Sequence, residues 1–179
     1  YPDRIQRPDK KIIFLKEDNP IIIAGRLIQE DLLILHWDNN FQEHILEGGI
    51  LCFPALWTLN EKINKPLSRI HKPVEQYNEK ITKSVQRMFN NLKVDKPIWR
   101  ANWYLYKDPE LFSPLSEKFS HTTEKEYFEG DFWVRVERQT IKRLPETNAI
   151  LFGIHTYVVN KKQLTLKQIT SLKNYSLNK

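Results

Sequence analysis

The chain has 179 residues, enough for one domain with its own core, and its 40% hydrophobic and 28% charged content is that of an ordinary globular chain rather than a disordered one. Its net charge of +6 comes from scattered residues such as Lys80, Lys83 and Lys93, with no long basic block, which argues against nucleic acid and leaves an acidic protein or an anionic cofactor as partner. The single cysteine, Cys52, excludes an internal disulfide and any cysteine-held metal cluster, and no apolar run approaches the roughly 18 residues of a membrane-spanning helix.

Tyr1-Pro-Asp-Arg-Ile carries neither an initiator Met nor a signal-peptide pattern, so the chain reads as a trimmed piece of a cytoplasmic protein. Residues 1–20, rich in proline and charge, read as an N-terminal arm or loop. Ile21 to Ala24 and Leu27 to Trp37 read as strands, with Gly25 as the bend between them and Asn39-Asn40 as a turn. Gly48-Gly49 opens a further apolar run, Ile50 to Phe53, stopped by Pro54. Thr58-Leu-Asn-Glu61 has capping-box spacing, so a short helix starts there and ends near Asn64-Lys-Pro66.

Val74, Tyr77, Ile81, Val85, Met88, Phe89 and Leu92 recur at steps of three and four, which predicts an amphipathic helix over 74–92. Ile98 to Tyr106 reads as an aromatic-rich strand. Residues 108–130, punctuated by Pro109, Pro114 and Gly130, form a long surface excursion. Two strands follow, from Phe132 and from Ala149, joined in a hairpin through Pro145-Glu-Thr-Asn148. Thr165-Leu-Lys-Gln168 caps a terminal helix. The plan is an arm over 1–20, one domain over 21–164 and a helix or tail over 165–179. Strands this close in sequence pair antiparallel, so the fold class is α+β, an antiparallel sheet with helices packed on one face.

In the strand from Phe132, period two places Phe132, Val134 and Val136 on one face, which then carries Arg138. A guanidinium at the edge of the core needs a partner, either a carboxylate inside the fold or an anionic ligand. No P-loop, GxGxxG, GxSxG or HExxH motif is present. His36, His44, His71, His121 and His155 never fall at chelating spacing, which argues against a multi-histidine metal site.

Three segments resemble one family. Cys52-Phe-Pro-Ala-Leu-Trp57 runs into Lys62-Ile-Asn-Lys-Pro-Leu-Ser-Arg-Ile-His-Lys-Pro-Val74. Pro97-Ile-Trp-Arg-Ala-Asn-Trp103 comes with Asp108-Pro-Glu-Leu-Phe112. Val134-Arg-Val-Glu-Arg-Gln-Thr-Ile-Lys-Arg-Leu-Pro145 leads into Phe152 and Thr156-Tyr-Val158. In this order they resemble the haem-dependent oxidative N-demethylase alpha-subunit-like family; Glu75, after the His-x-Pro-Val block, departs from its usual small or polar residue. The resemblance implies a PAS-like fold around a haem b. It also implies oxidative removal of a methyl group from a small amine such as dimethylamine, with dioxygen consumed and formaldehyde released. Electrons would come from flavin and iron–sulfur reductase subunits. A haem-binding PAS-like sensor or carrier without turnover is the alternative.

The same resemblance makes His71 the axial iron ligand, with His155 as rival. Arg100, Arg135 and Arg138 are candidates for the haem propionates, because guanidinium forks match carboxylates. Alternation puts Arg135 and Arg138 on opposite faces, and Arg138 is preferred. Glu137 is expected to pair with Arg135 or Arg100. Trp57, Trp99, Trp103 and Tyr157 are candidate walls for the porphyrin or the amine, with Trp103 chosen as the catalytic-site residue. Against such walls the amine is expected to bind in its neutral form.

Overall fold

The computed structural model describes residues 2–74, 77–115 and 130–177. Arg4–Gln6 (β1) and Ile12–Phe14 (β2) pair antiparallel, so the expected arm contains a small ribbon. Pro20–Leu27 (α1) is a helix where the apolar run suggests a strand. The reason is local. Asn19 accepts the Ile21 N–H at 3.0 Å, and Pro20 stands at the first helical position, where its fixed φ suits the helix. Four apolar residues are compatible with either state, and the cap decides between them.

Asp31–Asp38 (β3) and Glu43–Ile50 (β4) form a hairpin with a bulge between Ile34 and Leu35. Strand β3 therefore starts later than the expected Leu27. Gly48 and Gly49 lie inside β4 instead of opening a new strand. A Cβ on Gly49 would sit 2.8 Å from the Leu32 carbonyl oxygen, so a side chain there would push β3 away.

The connection to the rest of the sheet holds Leu59–Lys62 (α2), Leu67–Ile70 (α3) and Glu79–Asn91 (α4). Thr58 does not cap α2; its hydroxyl donates to Glu61 Oε2 at 2.9 Å. Helix α4 begins five residues later than the apolar pattern suggests, because Asn78 Oδ1 accepts the Ile81 N–H at 3.1 Å and fixes the start there. Ile98–Tyr106 (β5), Trp133–Arg143 (β6) and Ile150–Asn160 (β7) fall where the sequence places them, and a 3₁₀ turn over Lys161–Gln163 leads to Leu166–Leu177 (α5). Glu75, His121 and most of the 108–130 excursion lie outside the described residues.

The five long strands are antiparallel in the order β4-β3-β7-β6-β5. The first of them, β3, lies inside the sheet beside the last, β7, and α2 to α4 are inserted between β4 and β5. This arrangement fits a PAS-like sheet in an α+β domain.

Register sorts the two faces. Arg135, Glu137, Gln139 and Ile141 of β6 share a face with Tyr104, Asn102, Arg100 and Ile98 of β5 and with Val158, Thr156, Ile154 and Phe152 of β7. On this first face Leu35, Leu46, Ile141 and Ile150 pack against Leu67 and Ile70 of α3 and Phe89 and Leu92 near α4. The second face carries Trp103, Leu105, Val134 and Val136, which pack with Leu164 and with Leu172 of α5. Helices therefore lie on both faces, because the apolar alternation of β6 is where α5 docks.

Candidate functional site

The segment carrying His71 is pinned to β4. Asn64 N–H donates to the Leu46 carbonyl at 2.7 Å, and Leu46 N–H donates to the Lys65 carbonyl at 3.1 Å. Leu67 and Ile70 then anchor α3 in the first-face core, and His71 stands at its C-cap. His71 Nδ1 is 2.9 Å from the Leu67 carbonyl oxygen. A carbonyl only accepts, so Nδ1 carries the proton and Nε2 keeps its lone pair.

Burial holds the imidazole below its ordinary pKa, with Lys62 and Arg100 acting in the same direction. Tyr77 stacks on the ring at 4.2 Å between centroids and 16° between planes. Coordination uses the lone pair in the ring plane, which stacking on the ring face does not cover. Burial also pushes the Tyr77 hydroxyl up to about 12, keeping it neutral. The result is a neutral, tautomer-fixed imidazole.

Arg100 lies on the same face. Its Nε donates to Gln139 Oε1 at 2.8 Å, and its two terminal nitrogens meet no protein acceptor among the described residues. From Gln139 a polar network runs inward along β6. Gln139 Nε2 reaches Glu137 Oε2 at 3.5 Å, and Glu137 Oε1 lies 3.4 Å from Arg135 Nε. Arg135, 1% exposed, donates to the carbonyls of Phe53 at 2.5 Å and Leu111 at 3.2 Å. Asp31, equally buried, accepts the N–H groups of Cys52 at 2.6 Å and Phe53 at 2.8 Å. Both backbone groups of Phe53 are thus held by sheet side chains. Residues 54–56 in turn exchange backbone hydrogen bonds with Ser113, which makes a roof over this end of the first face. Desolvation raises the Asp31 carboxyl to about 6, opposed by its two backbone donors.

The sheet divides the residues singled out from sequence. His71 and Arg100 share the first face; Arg138 and Trp103 are on the second. Arg138 already has a counter-charge, donating to Glu30 Oε1 at 3.2 Å, and this is the carboxylate partner left open by the strand pattern. The rival ligand His155 is its register partner on β7, with Nδ1 3.8 Å from the same Glu30 oxygen. Trp103 packs 5.4 Å from Tyr175 of α5, so its surroundings are the second core. Trp99 and Tyr157 also face the second side, Trp99 71% exposed, and Trp57 lies under the Lys62 ammonium at 5.3 Å. Asp31, Asn102 and Gln139 are not among the residues singled out from sequence, and Arg135 is among them only as a propionate candidate set behind Arg138. Their signal is the polar alternation Arg135, Glu137, Gln139, which resembles a solvated face.

Among the described residues no three His, Cys, Asp or Glu side chains converge as a metal site. A haem would need only one side-chain ligand from the protein, since the macrocycle brings its own nitrogen donors. The free Nε2 of a neutral His71, with a half-free guanidinium on the same face, fits that requirement. Comparison with protein families matches residues 5–173 to the one described as haem-dependent oxidative N-demethylase, alpha subunit-like. The chain belongs to this family. The match covers β2 through most of α5, so the segments of the haem-dependent N-demethylase-like family include both His71 and the roofed polar network. None of the described helices is long and apolar enough to cross a membrane.

Proposed function

We propose that the chain holds a haem b on the first face and acts in oxidative N-demethylation of a small N-methylated amine, with His71 Nε2 as the iron's protein ligand and Arg100 facing a propionate. The bound haem would supply dioxygen activation and oxidation of the N-methyl carbon, with electrons from a flavin and iron–sulfur reductase partner. The chain's own part is to fix and exclude. The Leu67 carbonyl fixes the His71 tautomer, Tyr77 restrains the ring plane, and the Arg135 and Asp31 bonds hold the roof that keeps water from the face.

The observation that carries this reading is the pairing, on one face, of a neutral imidazole whose Nδ1 is held by the Leu67 carbonyl, which keeps the lone pair on Nε2, with an arginine whose terminal nitrogens meet no acceptor among the described residues. Arg138 and Trp103, across the sheet, have no part in this site. The test is formaldehyde release from dimethylamine by the haem-loaded protein with an electron donor and dioxygen. Stoichiometric formaldehyde supports the reading; a haem-loaded protein that releases none with any small N-methylated amine supports a sensor or carrier.

A further inference from the structure

Two segments far apart in sequence, residues 52–56 after β4 and residues 111–113 after β5, make the roof over the polar end of the first face. They are joined to each other by backbone. Leu56 N–H donates to the Ser113 carbonyl at 2.8 Å, and Ser113 N–H donates to the Pro54 carbonyl at 3.0 Å. Their hydrogen bonds to the sheet are of another kind. Among the described residues these come from two side chains, each 1% exposed. Asp31 of β3 accepts the N–H groups of Cys52 and Phe53, and Arg135 of β6 donates to the carbonyls of Phe53 and Leu111. Leu56 holds a φ of 59°, a backbone that a leucine keeps only while its surroundings impose it, so the fastened roof stores strain. The two-bond stitch has little stability of its own once it leaves the sheet. Releasing the two side chains therefore frees both segments together.

We infer that residues 52–56 and 111–113 form one lid, latched to the sheet by Asp31 and Arg135, that opens as a unit and more readily at neutral than at acid pH. The lid belongs to the chain alone and does not depend on haem; it governs the entry of water and small molecules to the first face. The direction of the pH effect follows from what surrounds Asp31. Burial cuts its carboxyl off from water, Glu137 of β6 adds a second negative charge, and Arg135 opposes both; the Cys52 thiol, held protonated by burial, adds no charge. The closed lid keeps the Asp31 proton up to about 6, and opening returns the carboxyl to its ordinary 3.8. The closed state thus binds more protons than the open one between those values, so rising pH favours opening.

The test is native-state amide hydrogen exchange of the full chain, resolved by residue and corrected for intrinsic rates, between about pH 5 and 8. We expect the amides of Cys52, Phe53, Leu56 and Ser113 to share one opening equilibrium, less protected than those of β6 and β7. Their protection should fall about tenfold across that range. Asp31→Asn keeps the acceptor oxygen and removes the titration, so the fall should vanish at all four amides. Ser113 is the telling position, because it makes no bond to Asp31; a side chain that only supported its own neighbours would leave the pH response of Ser113 unchanged. Different opening equilibria in the two segments, protection equal to that of β6 and β7, or wild-type protection that ignores pH each overturns the lid. Should Asp31→Asn fail to fold, the wild-type profile decides alone: a common, pH-dependent opening below the global one supports the lid, and any of those three results overturns it.

Discussion

Arg138 and Glu30 form an ion pair at 3.2 Å on the face of the sheet opposite His71. With Arg138 44% exposed, such a pair contributes at most about 1 kcal/mol. Arg138→Ala should therefore leave haem affinity unchanged and shift the thermal midpoint only slightly. Loss of haem in that variant would mean that the second face holds the macrocycle.

Asp31 should leave a signature in the pH dependence of stability. The folded carboxyl keeps its proton up to about 6 against an ordinary 3.8, so between those values the folded chain binds more protons than the unfolded one. Stability from this residue is then present at low pH and is lost as pH rises through that window, by about 3 kcal/mol in all. An Asp31→Asn variant keeps the acceptor oxygen for Cys52 and Phe53 and removes the titration. Denaturant unfolding from pH 4 to 8 should show the variant gaining on wild type until about pH 6 and then holding level.

Arg135 holds the roof. Its removal strands Glu137 as well as three oxygen acceptors, so Arg135→Met should destabilise by about 3–5 kcal/mol, measurable by urea unfolding. The same variant should open the loops around Phe53 and Leu111 first, seen as faster amide hydrogen exchange there than in β6 and β7.

The three long strands β5, β6 and β7 are readable from sequence because alternation runs over nine to eleven residues in each and the turn at Pro145–Asn148 joins β6 and β7 in a hairpin, whereas the pairing of β3 with β7 is not. The helix starts were harder. Asn19 and Asn78 moved α1 and α4 away from what the apolar residues alone suggest, since a single side-chain bond at the first turn outweighs a weak propensity. His71 was legible only through the resemblance, because a lone histidine in a loop carries no spacing signal.

The faces were the real difficulty. In β6 the apolar register Val134, Val136 is covered by α5, while the polar register Arg135, Glu137, Gln139 is the more deeply buried one. Alternation says which residues share a face and says nothing of what covers it. The covering here comes from residues 53 and 111, far away in sequence, through hydrogen bonds to Arg135. The apolar face of β6 favours Arg138 from sequence, whereas the guanidinium that the fold buries is that of Arg135.

The most direct measurement is a haem titration followed by the Soret band in wild type, His71→Ala and His155→Ala. We expect wild type and His155→Ala to bind one haem with the same ferric spectrum. His71→Ala should lose the axial-imidazole spectrum and most of its affinity while keeping its fold by circular dichroism. An unchanged Soret band in His71→Ala, or its loss in His155→Ala alone, would contradict the placement of the haem on the first face.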